Sequence, residues 1–396
     1  MRILLVHNWY RSAEPSGENH VVECEAGELR QRGHDVRVWG PSSDQIAEQS
    51  PLQKLLLSAR VVWSRDSARA LAVALDEHRP DVVHLHNTFP LISGSILPVL
   101  SDRGIPTVAT VHNYRLICAG GVLFRDGRVC HDCLPSSHWP GVQHGCYRES
   151  RIATTPLALS NAVHADRWKA LDAILTLSSA QRDLFIGAGY DPGRVIVKPN
   201  FVPEQTGSAD HGPPGSGFVY AGRLADTKGV QVILDAWAEL DERGLRPELT
   251  IIGSGPLEDE VARFARDHPN VHVAGRLTRA ECFAQFRQAR AVLVPSVWEE
   301  TFGLVVAEAM MFGRAAVCSD RGSFPDLVTD GHDGLLVPPA DAGALARAVE
   351  TLHGDEALAA RLGERARSTY ESRFRPAPNM ELLESIYERV LRVVRS

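Results

Sequence analysis

Glu300 and Glu308 flank a turn that closes on Gly303, within Pro295-Ser296-Val297-Trp298-Glu299-Glu300-Thr301-Phe302-Gly303-Leu304 and the residues after it. Val292-Leu293-Val294, just before, reads as a buried strand, and Leu304 to Phe312 reads as the start of a helix. A strand, a tight turn and a helix N-terminus make an anion site. The first amides of a helix have no intrahelical partner, and the helix dipole favours negative charge there. Two carboxylates would repel a bare anion. They suit a ligand with phosphates and hydroxyls, amides taking the phosphates and carboxylates accepting from the hydroxyls. A second set of groups lies in Gly222-Arg223-Leu224-Ala225-Asp226-Thr227-Lys228-Gly229. Arg223 and Lys228 follow a strand and precede a helix, where both can make charge-assisted bonds to a pyrophosphate.

The elements that must position these groups follow an α/β order. Residues 3–6, 36–39, 81–87 and 106–114 read as strands, and Glu18 to Arg32 has helical spacing. This is the opening of a doubly wound parallel sheet. Ligands of such sheets bind beyond the carboxyl ends of the strands, so His86-Asn87 and His112-Asn113 are expected at one crevice. In the loop after the first strand, Ser16-Gly17-Glu18-Asn19, Gly17 leaves room for close approach of a ligand to the backbone. A plain turn glycine is the blander alternative, as a structural histidine is for His86. Further strands are expected at 174–178, 195–200, 218–221, 249–252 and 271–277, and helices at 304–313 and 342–353. Ile252-Gly253-Ser254-Gly255-Pro256 lacks the third glycine of a dinucleotide fingerprint, which argues against a nicotinamide site.

Cys118, Cys130, Cys133 and Cys146 fall in one loop-rich segment with Gly120-Gly121, Asp126-Gly127 and Pro135 between them. Four thiolates can hold one structural zinc and so stabilise a segment without a large core of its own; reduced free thiols and redox chemistry are the alternatives. Cys24, Cys282 and Cys318 read as small core residues.

With 396 residues the chain is long enough for two domains. Its net charge of −7 is uneven: residues 1–199 carry +1 and residues 200–396 carry −8. An acidic second half argues against nucleic acid as a ligand. No apolar run approaches the ~20 residues of a membrane span, and the four apolar residues after Arg2 are too few for a signal peptide. A cytoplasmic protein is expected. Residues 51–76 form one long helix or a helical pair in which Lys54, Arg60, Arg65 and Arg69 interleave with Leu55, Leu56, Leu57, Val61, Val62 and Trp63. Such a stretch is a candidate for peripheral contact at the inner face of an anionic membrane, against the alternative of a solvated face over a core stripe.

The run Pro-Ser-x3-Glu-x-Phe-Gly-x4-Glu-Ala-Met from Pro295 to Met310 and the Gly-Arg-Leu-x3-Lys-Gly of 222–229 resemble the signatures of retaining glycosyltransferases of family 4. His86-Asn87-Thr88-Phe89-Pro90, Val111-His112-Asn113-Tyr114-Arg115 and the cysteine segment resemble the cell-surface polysaccharide subgroup of that family. The family usually has Gly-Gly where this chain has Ser16-Gly17, which puts the first of those contacts in doubt.

The resemblance implies the GT-B fold, an α/β arrangement of two Rossmann-like domains with parallel sheets facing a cleft. Residues 1–202 would bind the acceptor, with the cysteine insert at 118–146. Residues 203–217 would be a linker, and 218–380 would bind a UDP- or GDP-linked sugar. The helix 381–396 would cross back onto the first domain. Implied catalytic residues are His112, Arg223, Lys228 and Glu300. The donor would lie against Gly17, Leu277, Phe302, Gly303, Leu304 and Glu308, and the acceptor against His86, Asn87 and Asn113. No catalytic cofactor is implied, since the cationic side chains and helix amides stand where a metal would. A lipid-linked saccharide acceptor is common in such enzymes. A sugar-nucleotide epimerase on the same fold would convert donor without acceptor, and a binding protein would turn nothing over.

Overall fold

The computed structural model describes residues 1–12, 16–47, 51–134, 137–205, 207–208 and 212–395. The chain forms two compact units. One comprises Met1–Arg125, Cys130–Pro199 and Asn379–Ser396; the other comprises Asp126–Val129 and Asn200–Pro378.

The first unit is built on six parallel strands in the order β2-β1-β3-β4-β7-β8. These are β1 (Arg2–Val6), β2 (Asp35–Trp39), β3 (Val82–Leu85), β4 (Thr107–Thr110), β7 (Ala173–Thr176) and β8 (Val195–Val197). Phe124–Arg125 (β5) and Arg128–Val129 (β6) form a separate hairpin. Strands β3, β4 and β7 are buried along their whole length, as expected where helices cover both faces of a sheet. The chain goes from β1 to one neighbour, β2, then crosses to the other, β3, so the order reverses between β1 and β3. Helix Gly17–Gln31 follows β1, and Ser16 caps it by accepting from the Asn19 amide. Gly17 is therefore the first helical residue rather than part of a loop, and Ser at 16 has a local reason: it satisfies an end amide that a glycine would leave bare.

The stretch read as one helix or two is two, Pro51–Val62 and Arg65–His78, with Ser64 capping the second. The side chains of Lys54, Leu55 and Leu56 lie outside the described residues, as do Pro135, Ser396 and residues 206 and 209–211 of the expected linker. Helix Arg151–Lys169 had no counterpart in the sequence reading. Pro156 interrupts its pattern, and Ile152, Leu159 and Val163 are exposed, which hides the apolar stripe. The cysteine segment has more core than expected: Tyr114, Ile117, Ala119 and Leu123 are buried, and Ala119 packs with Val142 and Ala158.

The last helix, Pro376–Arg395, buries Met380, Leu383, Ile386, Tyr387 and Val390 on one face. It is tied to the first unit by Glu384, 3.0 Å from Arg32 and 2.8 Å from His34. The Asn379 amide also donates to the Pro199 carbonyl.

The second unit repeats the architecture, with parallel strands in the order β11-β10-β9-β12-β13-β14. They are β9 (Phe218–Ala221), β10 (Leu249–Ile252), β11 (Val271–Gly275), β12 (Ala291–Val294), β13 (Ala315–Ser319) and β14 (Gly334–Val337). Phe218, Trp237, Leu293, Val317 and Leu345 belong to one buried cluster beneath the sheet. Here the order reverses between β9 and β12. No helix among the described residues is long and apolar enough to cross a membrane.

Candidate active site

In each unit the candidate residues collect at the point where strand order reverses, the usual ligand position of open α/β sheets.

In the second unit, β9 and β12 are paired neighbours, so the loops that leave them meet. Gly229 adopts φ 71°, and a Cβ there would stand 1.9 Å from the Pro295 carbonyl oxygen. The Val297 amide donates to the Thr227 carbonyl at 3.0 Å. This seam brings Lys228 to Glu300, with Nζ 2.6 Å from Oε2. The same oxygen accepts from Trp298 Nε1 at 3.1 Å and from Ser296 Oγ at 3.3 Å. Lys228 Nζ also lies 5.0 Å from the centre of the Trp298 ring. Glu300 is 7% exposed, and its backbone carbonyl accepts from the Ser323 amide. The carboxylate is thus held by three donors.

Helix Leu304–Met311 begins beside it. Gly303 precedes the helix at φ 83°, and a Cβ there would meet the Phe324 ring at 2.6 Å. The helix therefore starts at Leu304 as expected, with its first amides at the mouth of the turn. The Phe302 side chain is in the core, edge-on to Phe374, so only its backbone is available to a ligand. Arg223 is exposed on the loop after β9, and Leu277 is half-buried beside the capping residue Thr278. Glu308 is buried and meets a residue the sequence reading missed. Arg279, first in helix Arg279–Gln288, places Nη2 2.6 Å from Glu308 Oε1. Burial pushes the Glu308 carboxyl up, and the Arg279 charge opposes it. Nothing in sequence spacing links the two.

In the first unit, His86 and His112 follow β3 and β4, which are paired. His86 Nδ1 lies 3.0 Å from His112 Nε2, and the two rings stack. Both line a cavity with Asn87, Phe89, Asn113 and Arg115. Burial lowers the His86 pKa to about 4, and burial with the neighbouring His86 and His7 takes His112 well below its usual value. The Asn87 amide is used by the backbone: it donates to the Asn8 carbonyl and accepts from the Phe89 amide. Asn113 likewise accepts from the Arg115 amide. Gly17 is exposed at the start of its helix.

Behind the histidines lies a buried network that the sequence reading also missed. Glu25 and Lys198, each 1% exposed, pair at 2.7 Å. Burial alone would push the Glu25 carboxyl up; Lys198 and His84 outweigh it and hold it well below the usual range. Glu25 Oε1 is 3.2 Å from His84 Nδ1 and 3.3 Å from His86 Nε2. His84 also meets the Tyr387 hydroxyl and Thr110 Oγ1, each at 2.7 Å. Among the described residues, Glu25, His84 and His86 are the one trio of acidic, histidine or cysteine groups whose ligand atoms lie within 4.8 Å of one another. The Lys198 ammonium already neutralises that carboxylate, so the trio is a charge-balanced cluster rather than a cation site.

The four cysteines of the insert are thiols. Burial, then the proximity of Cys118, pushes Cys133 up to about 11, and Cys146 rises through burial and the proximity of Cys118 and Cys130. They lie within electrostatic reach of one another, but sharing one ion would require their sulfurs to draw closer.

The chain's similarities agree with this geometry. The family described as "Glycosyltransferase Family 4" matches residues 15–206, and that described as "Glycosyl transferases group 1" matches residues 215–355. Glycogen synthase of Mycobacterium tuberculosis is 27% identical over 413 residues, covering 94% of this chain and 91% of that protein. Among solved structures, sucrose-phosphate synthase from Thermosynechococcus elongatus superposes with a TM-score of 0.72 at 17% identity, over 99% of each chain. The Anabaena protein HepE in complex with UDP gives 0.64 at 17% identity, over 98% of this chain and 100% of that one. The class is a glycosyltransferase with the GT-B fold. Within that class, the chain belongs to glycosyltransferase family 4.

Proposed function

We propose that this glycosyltransferase moves a sugar from a UDP- or GDP-linked donor to an acceptor hydroxyl with retention of configuration, without a catalytic metal, in polysaccharide or glycolipid assembly. The observation that carries the reading is the Lys228–Glu300 pair beside the helix start at Leu304. A cation and helix amides suit a diphosphate, and a carboxylate suits sugar hydroxyls. The UDP bound to HepE is consistent with such a donor.

In this reading Arg223, Lys228 and the amides from Phe302 to Leu304 stabilise the charge that builds on the departing diphosphate. The bond from the anomeric carbon to the β-phosphate oxygen breaks, and the acceptor oxygen bonds that carbon on the same face. The leaving phosphate takes the acceptor proton. Glu300 accepts from sugar hydroxyls, and Glu308 holds the ribose with Arg279 beside it. His112 is assigned to the transfer step by the family resemblance. The four cysteines enter as a structural zinc site, and the helix pair 51–78 as a peripheral membrane contact. For the latter, flotation with anionic liposomes, abolished by Lys54/Arg60/Arg65→Ala, is the measurement.

The first experiment is a thermal-shift panel with UDP, GDP, ADP and NAD, with and without EDTA. A ligand at ~100 Kd stabilises by about 2.7 kcal/mol. One nucleoside diphosphate should shift the wild type and not Arg223→Ala. The sugar conjugates of that nucleotide are then tested for transfer, with the product anomer read by proton NMR. An inverted product, or a shift with NAD alone, overturns the reading. Conversion of donor without acceptor would mark an epimerase.

A further inference from the structure

Glu300 has two carboxylate oxygens, and the protein uses them unequally. Oε2 takes all three side-chain donors: Lys228 Nζ at 2.6 Å, Trp298 Nε1 at 3.1 Å and Ser296 Oγ at 3.3 Å. Oε1 accepts from no group among the described residues, yet it is not sealed from solvent. An ionised carboxylate offers about four acceptor positions, two on each oxygen. Three donors more than fill the share of Oε2, so the capacity left for a ligand is on Oε1. The terminal torsion of a glutamate is soft. Without those donors the two oxygens would exchange freely.

Trp298 serves this geometry rather than the core. Its ring is half-buried and lies outside the apolar cluster beneath the sheet. The Glu300 amide donates to the Trp298 carbonyl at 2.9 Å, closing a tight turn. That turn brings the indole N–H alongside the carboxylate two residues on. The indole ring also meets Lys228, whose Nζ is 5.0 Å from the ring centre, within cation–π range. Lys228 is thus held by Glu300 and by the indole together. An ammonium has three N–H groups, so Lys228 can stay on Glu300 and still donate to a phosphate oxygen. The neutral indole N–H has no charge to share with a diphosphate, so it keeps its hold on Glu300 when Lys228 is drawn toward one.

We infer that Trp298 is a positioning residue for sugar transfer. Through Glu300 it fixes which carboxylate oxygen, Oε1, meets the donor sugar, and so which sugar hydroxyls are accepted. The inference rests on the sugar-transfer reading, in which Glu300 accepts from sugar hydroxyls; the filling of Oε2 stands apart from that reading.

The test is Trp298→Phe in the full chain, which keeps an aromatic ring and removes the N–H. The donors are UDP-glucose, UDP-galactose and GDP-mannose. With the best of them kcat should fall ~10–100-fold, the range for one hydrogen bond to a charged group, with donor KM changed less than about threefold. Preference among donors should narrow. The thermal shift with UDP or GDP should be unchanged, since neither carries the sugar. In a Glu300→Ala background the same substitution should cost nothing further, because it acts through that carboxylate. Full turnover overturns the inference. So does an equal loss in both backgrounds, which would make the indole act on its own, and so does loss of the UDP or GDP shift, which would make its role that of a turn support. An assay free of turnover is the indole region of the proton NMR spectrum. One indole N–H signal of the wild type should move upfield in Glu300→Ala, and if none moves the inference falls. If Trp298→Phe does not fold, this spectrum decides together with Ser296→Ala, which removes another donor to Oε2 and should show the same kinetic pattern. A wild type that transfers no sugar from any donor defeats the functional reading instead, and the indole signal still reports the contact.

Discussion

Lys228 Nζ and Glu300 Oε2 are 2.6 Å apart, although 72 residues separate them in sequence. The contact exists because β9 and β12 pair at the reversal of strand order and because Gly229 lets their loops touch. It places two groups of opposite charge side by side, which the proposed reading uses for the phosphate and hydroxyl oxygens of a donor.

Lys228→Ala and Glu300→Ala should each lower turnover by ~10²-fold or more, as loss of one transition-state donor does. Both should also lower melting, because Lys228→Ala leaves the buried Glu300 carboxylate with only neutral donors and Glu300→Ala strands the buried Ser296 hydroxyl. Steady-state kinetics beside a melting curve check both. Turnover close to wild type in either variant would contradict the assignment.

Gly303→Ala tests the helix start. An alanine at φ 83° costs ~1–2 kcal/mol of backbone strain, before its Cβ meets the Phe324 ring. We expect lower melting and a weaker nucleoside-diphosphate shift, whereas Gly27→Ala, in open space inside a helix, should stabilise by ~0.5–1 kcal/mol and leave that shift unchanged.

Acid should destabilise the first unit through its buried histidines. His7 and His86 are lowered to about 4 from 6.5, in each case chiefly by burial. The unfolded chain therefore takes up protons first as pH falls below 6.5, and stability is lost between about 6.5 and 4. Glu18 acts with the opposite sign. Burial raises it to about 7, so the folded state binds that proton first and gains stability as pH falls from 7 towards 4.5. With His7, His86, His112, His138 and His164 all lowered against one raised glutamate, melting temperature should fall on acidification. His86→Gln should flatten the slope, and an unchanged slope would refute the account.

Removal of metal addresses the cysteine insert. If zinc holds the four thiolates, a strong chelator should lower the melting temperature and release about one zinc per chain, as structural sites do. The nucleoside-diphosphate shift should survive, because the residues proposed for the diphosphate, Arg223, Lys228 and the amides from Phe302 to Leu304, are in the other unit. Protein purified in zinc-containing buffer with no bound zinc would leave the segment to its own core of Tyr114, Ile117 and Leu123.

The α/β order and the two phosphate-type loops were legible because apolar runs and glycines mark strand ends. Strands β13 and β14 were not. Ala315–Ser319 is made of small residues, and Gly334–Val337 opens on a glycine directly after Asp330-Gly331-His332-Asp333, which reads as a turn. The pairing of Arg279 with Glu308 and the Glu25 network were hidden for another reason: their members are far apart in sequence and meet only through the sheet. One signal was available. Glu25 lies on the buried stripe of its helix, with Val21, Val22, Ala26 and Leu29. A carboxylate at such a position needs a partner, although the sequence could not name Lys198.

The first unit is discontinuous: its sheet ends at β8, yet Asn379–Ser396 belongs to it and Tyr387 meets His84 in its interior. During synthesis, its six strands leave the ribosome long before the helix that covers them. Asn200–Pro378 must be made in between, which at ~5–20 residues per second takes about 10–40 s. For that interval Glu25, Lys198 and His84 lack their last neighbour. The second unit, nearly contiguous in sequence, can close first. Assembly of this chain should therefore run against the usual order, with its beginning finished last.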